Sequence, residues 1–91
     1  MNTLPLAARL DLTQVETLAA DLRAHAGDDL VLDAGATTHL GALGLQVLAA
    51  AALGWRRAGY RLTIAPRSEA FDEALALFGV TLADLQSEEA A

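Results

Sequence analysis

The chain has 91 residues, 54% of them hydrophobic and only 4% aromatic, with no cysteine and a net charge of −6. Such a length reads as one small domain over residues 1–91 with an aliphatic core. The missing cysteines exclude a disulfide frame, a thiolate metal site and a cysteine nucleophile, and an acidic balance with scattered arginines and no lysine argues against nucleic acid as a partner.

In residues 4–12, Leu6, Ala8, Leu10 and Leu12 alternate with Pro5, Ala7, Arg9 and Asp11, which predicts a first strand. Pro5 lacks an N–H and suits a strand start or an edge. Thr13 and Glu16 have the spacing of a capping box. Val15, Leu18, Ala19, Leu22 and Ala26 then follow at helical spacing. Gly27 stops that helix, and Asp28-Asp29 makes a turn. Leu30-Val31-Leu32 is a continuous apolar run, the pattern of a strand buried on both faces.

Between that strand and the next helix lies the segment Thr37-Thr38-His39-Leu40-Gly41-Ala42-Leu43-Gly44-Leu45. A nearly unbroken apolar helix follows to residue 58, with Leu45, Leu48, Ala49, Ala52 and Trp55 at helical spacing. Arg56 and Arg57 suit its negative end, and Gly59 stops it. The uncharged run from residue 34 to 55 is long, but glycines, threonines, His39 and Gln46 interrupt it. A buried helix after a turn is the better reading, with no insertion into a membrane. Residues 61–65 predict another strand, closed by Pro66. Ser68 can cap a third helix, with Phe71, Leu75 and Phe78 as its core stripe and Gly79 as its stop. Residues 81–85 suggest a short helical turn, and residues 86–91 a frayed acidic tail. A strand, a long helix and a strand with such short connections imply a parallel pair.

The segment around Gly41 carries no nucleophile, carboxylate or lysine, so it points to binding and away from an enzyme. His39 has no serine or cysteine nearby in sequence and no metal-ligand partners at suitable spacing. His25 reads as a contact at the end of the first helix. Gly41-x-x-Gly44 could offer amides to a phosphate at a helix start, but there is no P-loop lysine and no third glycine. The simpler reading is that Gly41 permits the turn and Gly44 lets the helix approach a strand. No cofactor and no metal are expected.

The order of elements, with Leu30-Val31-Leu32-Asp33 leading through Thr38 to Leu45 into a long helix, resembles the STAS domain of anti-sigma factor antagonists. The stretch from Arg61 to Ser68, followed by Leu77-Phe78-Gly79-Val80, is similar to that family's second half. The resemblance implies an α/β fold with a sheet of about four strands and helices packed mainly on one side. In the family the turn reads D-S-[ST]-G-L, its first Ser or Thr accepting phosphate. Anchored on Gly44-Leu45, the Asp falls on Gly41, the phosphoacceptor on Ala42 and the next residue on Leu43. All three depart from the pattern, so phosphorylation cannot occur at the family position.

The resemblance therefore implies a docking surface without its switch, made of Thr38, His39, Leu40, Gly41, Ala42, Leu43 and Gly44. The implied partner is a signalling kinase, an anti-sigma-like protein or a transporter ATPase. The implied setting is cytoplasmic and bacterial, in chemotaxis or two-component signalling. The alternatives are a regulatory STAS subunit of a lipid-transport ABC system and a small nucleotide-binding sensor. Phosphorylation at a displaced hydroxyl, Thr37, Thr38 or Ser68, stays open. So does the choice between a monomer and a weak dimer paired along the first strand. With no N-terminal stretch joining positive charge to a long apolar core, no signal peptide is expected.

Overall fold

A computed structural model describes residues 2–88. The alternation of the predicted strands is realised in three parallel strands, β1 (Asn2–Pro5), β3 (Leu30–Ala34) and β5 (Leu62–Arg67), in the order β1-β3-β5. Leu4 lies opposite Leu32, and Leu32 opposite Ile64, so apolar residues share one face. On that face Leu30, Leu32, Ala34, Leu62 and Ile64 are buried, while Val31, Asp33 and Thr63 between them are only half-buried. One face of the sheet is packed. The expectation that residues 30–32 are buried on both faces does not hold in full, because Val31, between two buried leucines, is only half-buried. Strand β5 also runs through Pro66 to Arg67 instead of ending before it.

The predicted first strand divides. Its ladder with β3 ends where the Leu6 amide donates to the Asp33 carbonyl at 2.8 Å. The chain then turns, and β2 (Arg9–Leu10) pairs in parallel with a two-residue strand, β4 (His39–Leu40), that lies inside the segment read as a turn. The described residues thus form five strands in two sheets where about four were expected in one. Leu6 and Leu10 are buried, but Leu12 is 74% exposed, against its expected place in the alternation. Bonding of Leu6 toward β3 turns Pro5 outward, so the free edge of β1 lacks a donor there. That edge is a poor template for pairing with a second chain.

Helix α1 (Val15–Ala24) buries Leu18 and Leu22. The capping box expected from Thr13 and Glu16 is not formed. The Asp11 carboxylate instead accepts both the Thr13 amide (3.1 Å) and the Thr13 hydroxyl (2.7 Å). The Thr13 amide that Glu16 would have to accept is thus already taken by Asp11, and Gln14, not Thr13, stands before the first turn of α1. Helix α2 (Ala42–Ala58) buries Leu45, Leu48, Ala52 and Trp55, and Gly59 closes it at φ 82°, in the left-handed region. The Trp55 indole N–H donates to the Asp28 carbonyl at 2.8 Å, which satisfies the one polar atom of that buried ring.

Helix α3 (Glu69–Phe78) begins as expected, with the Ser68 hydroxyl accepting the Phe71 amide at 3.0 Å. A 3-10 turn (Leu82–Leu85) follows and buries Leu85. The chain does not fray at residue 86. Gln86 and Ser87 are buried, Ser87 forms an antiparallel bridge with Leu62, and the Gln86 side-chain oxygen accepts the Ile64 amide at 2.8 Å. Arg56 reaches across from α2 to donate to the Gln86 carbonyl at 2.7 Å. The segment is held because it satisfies donors along the β5 edge. The rest of the expected tail, residues 89–91, lies outside the described residues.

Candidate functional site

The candidate surface is built where β4 runs into α2. Backbone bonds fix its position: the Thr38 and His39 amides donate to the Ala8 carbonyl (2.7 and 3.1 Å), and the Gly41 amide to the Leu10 carbonyl (3.1 Å). The threonine hydroxyls reinforce the same seam, Thr37 donating to the Ala7 carbonyl (3.2 Å) and Thr38 to that of Ala8 (3.0 Å).

Gly41 stands just before the first turn of α2 at φ −88° and ψ 171°, extended backbone open to any residue. The turn therefore does not require glycine there. Its consequence is chemical: α2 starts with no side-chain cap and no acidic residue in its first turn. Gly44 is the one whose smallness matters. A Cβ on it would stand 2.8 Å from the Leu10 carbonyl oxygen and 3.1 Å from the Leu10 Cβ. That bears out the close approach of helix to strand.

The seven residues of the expected surface divide into two groups. Thr38, His39, Ala42 and Leu43 are exposed, Leu43 at 44%. Leu40 and Gly44 are buried and Gly41 is half-buried, so these three hold the surface up from below. Among the displaced hydroxyls, Thr37 is buried and Ser68 is spent on capping α3 and on the Thr37 carbonyl, while Thr38 is exposed.

Sequence reasoning missed the other half of this surface. Phe78, expected in the core, is 45% exposed, and Leu77 is 82% exposed. Two open hollows meet at Phe78. One, of about 400 Å³, lies between α2 and the 3-10 turn and is lined by Ala42, Leu45, Gln46, Ala49, Val80 and Asp84. The other, of about 300 Å³, lies between residues 38–41 and α3, where Leu40, Ala74, Leu77 and Glu73 contribute to its wall. A signal for Leu77 was present in the sequence. It stands two residues beyond Leu75, about 200° around the helix from the core stripe, and a large apolar side chain there has no core to enter.

Charge on the surface is one-sided. Asp84 lines the first hollow and Glu73 the second, and no arginine lines either. Asp84 also accepts the Thr81 amide at 3.1 Å, and Arg67 is held by Asp72 at 2.8 Å. Among the described residues no group of three or more histidines, aspartates or glutamates is placed to hold a metal ion, and no helix is long and apolar enough to cross a membrane.

A parallel sheet beside an apolar helix start and an exposed aromatic defines a small α/β domain with an apolar surface open to solvent. The family model described as "Mlab, STAS domain" matches residues 2–85, and the chain belongs to the STAS domain family. No curated protein and no solved structure matches it. Membership carries a general regulatory or interaction role, and STAS domains are in general non-enzymatic interaction modules.

Proposed function

We propose that this protein is a non-enzymatic signalling domain that binds a regulatory protein partner through the exposed side chains of Thr38, His39, Ala42 and Leu43, with no phosphorylation switch at residue 42. The observation that carries the reading is the start of α2. Ala42 and Leu43 are exposed there, beside an apolar hollow, at the positions the family pattern gives to its phosphoacceptor and the following residue. Ala42 has no hydroxyl, so the surface cannot be phosphorylated at that position. A phosphate at this point would place about two negative charges at the edge of an apolar contact, and that means of release is absent here.

The partner class is a signalling kinase, an anti-sigma-like protein or a transporter ATPase, in a cytoplasmic, bacterial setting such as chemotaxis or two-component signalling. Ala42→Glu and Leu43→Asp should abolish co-purification of the partner while the far-ultraviolet circular dichroism and the unfolding midpoint stay near those of the parent. If both variants retain the partner, the surface has been misassigned. Co-purification with an ATPase instead of a kinase identifies the domain as a regulatory subunit of a lipid-transport ABC system. Calorimetry with ATP and GTP tests the nucleotide-sensor alternative, for which no heat is expected at millimolar ligand.

A further inference from the structure

We infer that the partner segment seated on this surface is a basic amphipathic helix, with its apolar side chains entering the two hollows on either side of Phe78. The inference rests on the interaction reading above and adds the chemistry of the partner. The hollows adjoin along Phe78, and their walls are mainly carbon: Ala42, Leu45 and Ala49 on one side, Leu40, Ala74 and Leu77 on the other. An apolar surface of this kind, split by one aromatic ridge, suits side chains spaced about one or two turns apart on a helix.

Charge selects among the occupants. Each hollow carries one carboxylate, Asp84 or Glu73, and no arginine, on a chain of net charge −6. A second copy would bring the same acidic rim against this one. A membrane rich in anionic lipid would be repelled in the same way. A helix with arginine or lysine flanking its apolar stripe matches both the apolar walls and the acidic rim.

The probe is a capped helical peptide with leucines at positions i, i+4 and i+7 and arginines flanking them, titrated into the whole ¹⁵N-labelled chain. The amides of Ala42, Gln46, Leu77, Val80 and Asp84 should shift, and replacing the peptide arginines by glutamates should weaken binding about ten-fold or more. Glu73→Arg should give a loss in the same direction with the arginine peptide and a gain with the glutamate peptide. Glu73 is exposed and its side chain makes no hydrogen bond among the described residues, so its replacement leaves the fold's bonds in place.

Equal affinity for the two peptides, no binding of the arginine peptide at millimolar concentration, or shifts confined to other parts of the chain overturns the inference. Binding of phosphatidylglycerol vesicles at the same amides overturns it in favour of a lipid surface. Concentration-dependent shifts there without peptide overturn it in favour of a second copy. Failure here is distinguishable from failure of the interaction reading. That reading falls if Ala42→Glu and Leu43→Asp keep the native partner, whatever the peptides do.

Discussion

The carbonyl oxygen of Leu10 occupies the space in which a side chain at Gly44 would begin, 2.8 Å from the Cβ position. The first turn of α2 therefore rests directly on the backbone of β2. The same contact fixes where the exposed residues 42 and 43 stand relative to β4. Gly54, in the same helix, has nothing within 4 Å of its own Cβ position.

These two glycines should respond in opposite directions. Alanine is favoured over glycine inside a helix by about 1 kcal/mol, so Gly54→Ala should stabilise the protein by roughly 0.5–1 kcal/mol. Gly44→Ala has the same intrinsic gain, but its methyl group meets backbone. Moving helix from strand should leave a net loss of about 1–3 kcal/mol. Urea unfolding of the two single variants reads the sign. A stabilised Gly44→Ala would show that α2 does not lie against Leu10.

Asp11 gives a pH-dependent test of the turn into α1. Its carboxyl is held below its ordinary value by the Thr13 hydroxyl first, then by the Thr13 amide, with Arg9 at 3.3 Å adding to the effect. A carboxylate lowered in the folded state contributes its stability fully above the ordinary, unfolded value. It loses that contribution as pH falls through the lowered one. Thr13→Val removes the strongest donor, so the Asp11 titration followed by carboxyl NMR should move upward, toward the ordinary value. An unchanged titration means that the hydroxyl does not donate to Asp11.

Local chemistry decided which elements were legible from the sequence. The Ser68 cap, the Gly59 and Gly79 stops and the apolar stripe of α2 are signals carried within a few residues, and each appears in the structure as read. Strand β4 has no such signal. It is two residues long, and it exists because His39 and Leu40 find Arg9 and Leu10 about thirty positions earlier. The box at Thr13 fails because Asp11, two residues earlier, takes the Thr13 amide that Glu16 would have accepted. At the candidate surface, the helix start could be read from the segment around Gly41. Its Phe78 half could not, because position i+7 from Phe71 looks like core until it is known whether anything packs over the last turn of α3.

The terminal segment should contribute to stability. The Gln86 side-chain oxygen accepts the Ile64 amide inside the structure, so Gln86→Ala leaves a buried donor without its partner. That should cost about 1–3 kcal/mol. Glu88→Ala, at an exposed position just beyond, should stay within about 0.5 kcal/mol of the parent. Equal midpoints for the two in chemical denaturation would mean that residue 86 does not close the β5 edge.

Phe71 and Phe78 share one helical stripe, yet their surroundings assign them different work. Phe71 is buried in the core, and Phe71→Ala should cost about 3–5 kcal/mol through lost burial and the cavity left behind. Phe78 is nearly half exposed at the junction of the two hollows, so Phe78→Ala should cost only about 1 kcal/mol, in line with the area it keeps from water. If the exposed ring is an anchor for the partner, that mild variant should lose binding well out of proportion to its loss of stability. Thermal unfolding and partner binding measured on the same preparations separate the two roles. A Phe78→Ala protein that is as destabilised as Phe71→Ala would return the residue to the core, and one that binds as the parent does would remove it from the surface.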